Sequence, residues 1–430
     1  MLQKRILTAA FFLEILSCTY LLSFSELAAF SSILYFISGI SIAIAVLFLP
    51  QSHLTLPKKE FFTDTFNGYK FSAIAIMGVM MCHFGIIFMQ DAPLDFHDSD
   101  MLPIIKVMSQ RFVEGHWEKV YDIIPNIWQG VKPIYLPAMW LPFSVAEWLH
   151  IDIRWITITA LFLAFSLAIL LWNPFASRRL SLTYKVAVFM LFWWLFTNDS
   201  AGLVPYTEEG VVIINYVWLT IALLSENYLF IGAAACFCLL SRYALIGWLP
   251  AMLILLYVQR KRKQWLHLKI SGIACFCLLV LMPFGWSILN SFINLPGAYI
   301  DFARRVWHDG PHVFEISLGF ARFFGPNHIA LQHYSLVTLS FVVPMLFVLI
   351  CAWINYRKKE IILHNIPLAA LKLTLVVFYT LVDVPYLYLF YTSPFISCIL
   401  VSYWVSYNKK GKVPVESNAT LSSINPVSSN

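Results

Sequence analysis

Apolar runs long enough to cross a bilayer recur along almost the whole chain, and they limit its possible folds more than any other feature. A helix needs about 20 residues to cross hydrocarbon roughly 30 Å thick. With 60% hydrophobic and 12% charged residues, against about 25% charged in soluble proteins, an all-α polytopic membrane protein is expected. The long runs lie at 6–24, 28–50, 71–90, 155–173, 269–289, 335–355 and 386–406.

Five shorter apolar runs lie at 185–197, 211–225, 229–241, 243–257 and 366–382. A span this short must lie in thinned bilayer or be shielded by neighbouring helices. Counting them gives a prediction of about 12 transmembrane helices, within a range of roughly 10 to 13, because positive charge then falls on one side.

Charge indicates the topology. With twelve spans and a cytoplasmic N-terminus, most of the 29 Lys and Arg lie on the inner side and most of the 23 acids outside. Lys372 is among the cations assigned to the inner side. Joining 229–257 into one helix would put the basic run 260–263 outside, so a break is predicted at Ser241-Arg242-Tyr243. For the same reason the segment 133–149 is predicted to be interfacial or re-entrant.

The chain is therefore expected to be a multi-pass protein of the cell inner (plasma) membrane, with both termini cytoplasmic. Residues 1–407 form one membrane domain with outer loops at about 91–153 and 290–334, and 408–430 is a disordered cytoplasmic tail. All eight cysteines fall inside predicted spans and are expected to act as small core hydrophobes. Glu14 is a lone acid within the first span, expected to form a hydrogen bond inside the bundle.

An acidic cluster opens the first outer loop, at Asp91, Asp95, Asp98 and Asp100. Carboxylates that crowd beside a membrane repel one another, which favours the handling of a polar substrate over packing. An amphipathic helix is predicted directly after them, since Leu102, Ile105, Met108 and Phe112 recur at three- or four-residue steps.

The pair Asp98-Ser-Asp100 can be interpreted in three ways. It can bind a divalent cation, which is the one candidate cofactor, or one carboxylate can act as general base while the other orients a hydroxyl. The alternative is a solvated acidic loop. The pair lies between the end of a membrane span and an amphipathic helix. At such a position a lipid-borne substrate and a polar substrate can both reach the carboxylates.

Five short motifs follow one another in the first outer loop: Asp98-Ser-Asp100, Phe112-Val-Glu-Gly115, Val120-Tyr121-Asp122, Pro133-Ile-Tyr135-Leu-Pro137 and Leu141-Pro142. In these motifs the loop resembles the first outer loop of the GT-C superfamily of polyprenyl-phosphate-sugar-dependent glycosyltransferases, in its bacterial mannosyltransferase-like branch. Later landmarks resemble such enzymes more loosely, at Ser241-Arg242-Tyr243 and 384–388.

The resemblance implies a GT-C-like fold and a transferase whose active site lies on the outer face. It would move a hexose such as mannose from a polyprenyl-phosphate carrier to a glycan or lipid acceptor, with inversion. The acid of the first loop, which maps to Asp98 or Asp100, would serve as the general base. The expected partners are the lipid-linked donor, the acceptor and membrane lipids.

The departing phosphate needs cationic partners, and arginine suits the role because its planar fork holds phosphate oxygens in pairs. Arg242 is the leading candidate, since it is costly to place between two short apolar runs. Its alternative role is that of an interfacial arginine beside Tyr243. Arg304 and Arg305 are candidates that could instead contact lipid headgroups or nearby acids, and Lys132 is a fourth.

Four further residues are candidates for substrate binding. Tyr121 and Tyr135 could stack on a sugar or hydrogen-bond to it, or simply anchor the chain at the interface. Glu208 and Glu209, in a short outer loop, could bind acceptor hydroxyls. No metal site is assigned to His308 and His312, for which a solvated loop is the favoured interpretation.

Two other classes of function stay open. A transporter or flippase of lipid-linked sugars would need ionisable residues at mid-span, where Glu14 is the clearest. A non-catalytic subunit of envelope assembly would use the acidic loop only for docking. No nucleic-acid module is present in the sequence, and the basic inner loops are explained by topology.

Overall fold

The computed structural model describes residues 2–49, 68–97, 99–127, 130–172, 178–198, 201–290, 292–294, 297, 300, 304, 318–357, 363–382 and 386–406. Helices dominate this part of the chain, and the extended pairing within it is one isolated antiparallel bridge, Ile124–Val131. The predicted tail 408–430 and most of the outer loop 290–334 lie outside the described residues.

Eight helices are long and apolar enough to cross a membrane, and four more apolar helices are shorter. Every predicted apolar run is mostly helical in its described residues, so a polytopic all-α membrane protein is confirmed. In chain order they are α1 Leu2–Cys18, α2 Ala28–Leu47, α3 Gly68–Asp91, α4 Arg154–Leu171, α5 Arg178–Thr197, α6 Glu209–Leu224, α7 Tyr228–Leu239, α8 Trp248–Val258, α9 Arg262–Phe276, α10 Ile329–Arg357, α11 Ile366–Leu381 and α12 Thr392–Ser406. The shorter four are α6, α7, α8 (with the turn before it) and α11.

Hydrogen bonds join helix ends that the twelve-span prediction assigns to the same side. At the predicted inner side the Lys70 ammonium donates to the Leu170 carbonyl over 2.8 Å. At the predicted outer side the Gln332 side-chain amide donates to the Val382 carbonyl, also over 2.8 Å. These contacts agree with alternating helix directions, while the number of spans and their orientation stay predictions.

The first outer loop contains the predicted amphipathic helix, Met101–Val113, which buries Leu102, Ile105 and Met108. The apolar segment 133–149 does not form a single helix. It folds into Pro137–Trp140 and Ser144–Leu149, joined by one 3₁₀ turn. Neither piece is long enough to cross hydrocarbon.

The helices differ greatly in how much of their surface the protein covers. Only 11% of the apolar window in Arg262–Phe284 is buried, against 89% in Leu387–Trp404. The last helix therefore lies at the centre, where it packs with α1, α6 and α11, while the segment around α9 lies at the periphery. Two cysteines, Cys82 and Cys277, are exposed on peripheral helices, so the expectation that all eight are core residues is wrong.

Glu14 and Lys372 form an ion pair of 2.5 Å between α1 and α11, and neither side chain is exposed. Lys372 was predicted to belong to the inner side, but α11 places it in the protein interior. Glu14 forms hydrogen bonds inside the bundle, as predicted. Lys372 also donates to Ser393, and Ser397 donates to the second Glu14 oxygen over 2.6 Å. This network satisfies both carboxylate oxygens of Glu14.

Candidate functional site

Arg242 lies where the chain breaks between α7 and α8, as the charge pattern predicts. Its backbone is extended (φ −147°, ψ 135°), and its amide donates to the Cys238 carbonyl over 2.8 Å. The neighbouring Leu240 carbonyl accepts a hydrogen bond from Ala138 in the outer loop. The break thus docks on the first outer loop and turns Arg242 towards the start of α6.

Glu208 and Glu209 meet Arg242 at the N-terminus of α6. The Arg242 Nη2 atom lies 3.3 Å from Glu208 Oε1 and also contacts Glu209 Oε1. Both glutamate side chains are fully buried, and Arg242 is 19% exposed. Carboxylates are favourable at a helix N-terminus because the helix dipole is positive there. We call Arg242, Glu208 and Glu209 the carboxylate cluster.

Gly210 allows α6 to approach α4 closely enough to fix this geometry. A Cβ at Gly210 would lie 2.7 Å from the Thr157 carbonyl oxygen. The Thr157 hydroxyl, in turn, donates to the Thr207 carbonyl over 2.9 Å. The segment that carries both glutamates is therefore held against α4 at both of its ends, through Thr207 before the glutamates and Gly210 after them.

The carboxylate cluster has more negative than positive groups. Burial raises the pKa of Glu208 above its ordinary value, and the opposing effect of Arg242 does not cancel this shift. Burial also disfavours the charge on Arg242, but the two carboxylates outweigh it and raise its pKa. Arg242 therefore stays charged, while a proton is held more readily on Glu208 than on an exposed glutamate.

Two buried polar atoms of the cluster have no hydrogen-bond partner among the described residues. They are Glu208 Oε2 and Arg242 Nε. The Thr392 hydroxyl lies close enough to Glu209 and to Tyr379 to form a hydrogen bond with either. An unpaired buried polar group costs about 1–3 kcal/mol. Both carboxylate oxygens of Glu14 are hydrogen-bonded, so the two buried ionic groups differ: the Glu14 network is fully paired, and the carboxylate cluster keeps an unpaired oxygen on Glu208.

Asp100 lies beside the carboxylate cluster, close enough for its charge to act on Glu208, Tyr135 and Tyr386. It is partly buried and directly precedes the helix Met101–Val113. Two contacts fix this loop: Ser99 donates to the Tyr206 carbonyl over 3.2 Å, and the Tyr388 hydroxyl to Met101 Sδ over 3.0 Å. Asp98 lies outside the described residues.

Tyr135 is buried next to Asp100, Glu208 and Arg242. Burial, reinforced by the two carboxylates, raises its pKa well above the ordinary value, so its phenol is neutral. Asp100, Tyr135, Glu208, Glu209 and Arg242, all predicted from sequence as site residues, are thus brought together.

Other predicted site residues lie elsewhere. Lys132 and Arg304 are exposed, and no contact in the described part of the chain joins Lys132 to the cluster. Arg305 lies outside the described residues. Tyr121 is buried, and its hydroxyl donates to the Tyr135 carbonyl over 3.1 Å and accepts from Trp140 Nε1 over 3.2 Å. This hydroxyl is therefore used in packing.

Sequence reasoning missed the hydroxyl groups that surround Glu209. Tyr216, Tyr379 and Thr392 sit on α6, α11 and α12, where they look like ordinary residues of apolar helices. Tyr216 and Tyr379 lie close enough to Glu209 and Arg242 to interact with their charges. Only the tertiary packing of three helices reveals this grouping.

The structure gives no support for a metal centre in the part of the chain that it describes. No group of three or more His, Cys, Asp and Glu there could hold a metal ion. The predicted cation site at Asp98 and Asp100, and the pair His308 and His312, include residues outside that part.

Comparison of the chain with protein-family models, with curated proteins and with solved structures finds no match in any of the three. Its function has to be inferred from the chemistry of the carboxylate cluster and its surroundings.

Proposed function

We propose that this protein is a membrane glycosyltransferase of GT-C type with twelve spans. It moves a hexose from a polyprenyl-phosphate carrier to a glycan or lipid acceptor at the outer face of the inner membrane. The observation that supports this most is the pairing of Glu208 and Glu209 with Arg242, with Asp100 beside Glu208 and with a buried Glu208 oxygen that has no partner among the described residues.

In this proposal the carboxylates have different roles because their environments differ. Asp100 is partly exposed and can accept a proton from an acceptor hydroxyl that arrives from outside. The hydroxyl oxygen attacks the anomeric carbon as the bond from that carbon to the phosphate oxygen breaks. The bonding electrons leave with the lipid phosphate, and the configuration inverts. Asp98 is the alternative base.

Glu208 and Glu209 bind sugar hydroxyls in this scheme. Each has one oxygen on Arg242. The second oxygen of Glu208 has no partner in the described structure, and a sugar hydroxyl can satisfy it by donating a hydrogen bond. Such a hydrogen bond removes the cost of leaving a buried carboxylate oxygen unpaired.

The geometry changes the role that we propose for Arg242. Its Nη2 atom is occupied by both glutamates, so it serves first to hold the carboxylates in place. We assign the leaving phosphate mainly to Arg304, Arg305 and Lys132, the other cations that the sequence predicts for this role.

A transporter of lipid-linked sugars is supported less well. The ionisable pair that such a protein would need at mid-span is Glu14 and Lys372, and it is closed by Ser393 and Ser397. A fully bonded network of this kind suits a structural role in the bundle. A docking subunit, in turn, would not need a buried carboxylate with an unpaired oxygen.

The test is transfer of label from radiolabelled polyprenyl-phosphate-hexose to a membrane glycan extract by the purified, reconstituted protein. We expect Asp100→Asn, or Asp98→Asn if that residue is the base, to lower the rate by about 10²–10⁴-fold. Glu208→Gln should also lower it. Asp122→Asn is the matched control, because Asp122 is an exposed acid of the same loop.

Label that changes leaflet without reaching an acceptor would support the transporter instead. A wild-type protein that neither transfers nor moves label would leave the docking subunit as the explanation.

A further inference from the structure

A cleft of about 310 Å³ opens on the predicted outer side, between the first outer loop and residues 283–288, which follow α9 in the chain. Trp117, Glu118 and Tyr121 line one wall, and Phe284, Ser287 and Ile288 line the other. Its volume is at the lower end of the range of about 300–1,000 Å³ for small-molecule sites. One sugar unit is therefore a better match in size than a long oligosaccharide.

Trp117 provides a fixed aromatic platform in the cleft. Its ring stacks on Phe112 (centroids 5.6 Å apart, interplanar angle 18°), and its Nε1 donates to the Phe112 carbonyl over 3.0 Å. The side chain is nevertheless 45% exposed. A large ring that is held in place but open to solvent can bind a ligand with little loss of conformational freedom.

The backbone on both walls of the cleft has unusual conformations. Gly115 (φ +81°) and Gly285 (φ +66°) adopt the left-handed conformation on the two walls, where glycine is favoured. A π-helical segment, Cys277–Leu281, directly precedes the second wall. Such segments interrupt α-helices most often at functional sites.

The chemistry of the lining favours a neutral polyhydroxyl ligand. Its one charged group is the Glu118 carboxylate, which has no hydrogen-bond partner in the described part of the chain. No lysine, arginine or histidine lines this cleft, so nothing there would hold a phosphate. Glu118 can accept hydrogen bonds from sugar hydroxyls, as can the Ser287 hydroxyl, while the C–H face of a hexose packs on Trp117.

A quaternary ammonium group also binds aromatic rings and carboxylates, but it is best held by several open ring faces. Of the three aromatic rings that line the cleft, Trp117 is the most exposed. Phe284 and Tyr121 meet edge to face (centroids 6.0 Å apart, interplanar angle 76°), and the Tyr121 hydroxyl is already bonded.

We propose that this cleft binds a neutral hexose unit of the acceptor glycan, with Trp117 as the stacking platform and Glu118 as the hydroxyl partner. The proposal rests on the glycosyltransferase function. The Tyr121 hydroxyl joins the cleft to the backbone of Tyr135, and the Tyr135 side chain lies beside Asp100 and the carboxylate cluster.

The test is saturation-transfer NMR on the full-length protein in detergent, with the methyl glycosides of mannose, glucose and galactose as probes and with tetramethylammonium in parallel. We expect at least one glycoside to bind the wild type. Trp117→Ala should weaken that binding by about tenfold, and Glu118→Gln should weaken it less. Trp148→Ala is the matched control, because Trp148 is a 69% exposed tryptophan outside the cleft.

The inference fails if no glycoside binds the wild type, if tetramethylammonium alone binds, or if Trp117→Ala and Glu118→Gln both bind like the wild type. It fails separately from the proposed function. Glycoside binding that depends on Trp117, in a protein without transfer activity, would keep the sugar site and reject the transferase. Transfer with an acceptor KM that neither variant changes would reject the sugar site alone.

Discussion

The Tyr121 hydroxyl donates a hydrogen bond of 3.1 Å to the backbone carbonyl of Tyr135. Tyr121 lines the aromatic cleft, whereas Tyr135 is buried beside Asp100 and the carboxylate cluster. One hydrogen bond therefore connects the lining of the cleft to a residue that lies beside the carboxylate cluster.

Removing the Tyr121 hydroxyl should weaken the contact between Tyr121 and the Tyr135 backbone. Tyr121→Phe leaves the Tyr135 carbonyl and Trp140 Nε1 without their partner, so we expect it to reduce the free energy of unfolding by about 1–3 kcal/mol. Chemical denaturation of the purified protein measures this. Tyr334→Phe is the control, because Tyr334 is 64% exposed, and an equal effect of the two changes would contradict the role of the hydrogen bond.

The ion pair between Glu14 and Lys372 should show strong coupling. Glu14→Gln or Lys372→Met leaves a buried charge without its partner, and each should cost about 3–5 kcal/mol of unfolding free energy. The double variant buries no charge, so its cost should be well below the sum of the two. A double-mutant cycle on unfolding measures the coupling, and strictly additive effects would exclude it.

Gly210→Ala should disturb the carboxylate cluster from outside it. The added methyl group meets the Thr157 backbone and pushes the start of α6 away from α4, so stability should fall by about 1–3 kcal/mol. Transfer activity should fall with it, because Glu208 and Glu209 move. Gly68→Ala is the control, since a Cβ at Gly68 meets nothing within 4 Å. Unchanged transfer in Gly210→Ala would separate the glutamates from catalysis.

The pair of Asp152 and Arg154 should make stability depend on pH in the acidic range. Burial raises the pKa of Asp152, but hydrogen bonds from Arg154 outweigh burial and lower it below the ordinary value. The stabilisation is therefore complete above the ordinary aspartate pKa of about 3.9, and it is lost as the pH falls through the lower folded value. Thermal unfolding at a series of pH values measures this loss. Asp152→Asn should remove this contribution, and a profile that the variant leaves unchanged would argue against it.

The predicted topology can be tested by labelling. A cysteine at Ser99 should react with a membrane-impermeant reagent added outside intact cells, because the first loop is predicted to face outward. A cysteine at Gln259, in an exposed turn on the predicted inner side, should react only after the membrane is opened. The wild type gives the background of the native cysteines. The reverse pattern would overturn the outer location of Asp100 and the proposed donor together.

Features that depend on neighbours in sequence could be predicted. Apolar runs, the break at Arg242 and the amphipathic helix Met101–Val113 follow from local hydrophobic period and from charge placement, and each is found. The grouping of Asp100 with Glu208 and Glu209 is compatible with the sequence prediction, because all three are candidate site residues on the same predicted side of the membrane.

Pairings between distant helices could not be predicted. Lys372 counted as an inner cation because its charge fits the positive-inside pattern, yet its partner Glu14 lies 358 residues away. Tyr379 and Thr392 carry no local signal either, since tyrosine and threonine are common in membrane helices. Their importance arises only from contact with the surroundings of Glu209.

The separation of Glu14 and Lys372 along the chain has a consequence for biosynthesis. At about 5–20 residues per second, a ribosome needs about 20–70 s to proceed from one to the other. During that time the first helix carries an acidic group whose eventual partner has not yet been made. The nascent protein must keep that carboxyl group protonated, hydrated or sheltered by another factor until the eleventh helix arrives.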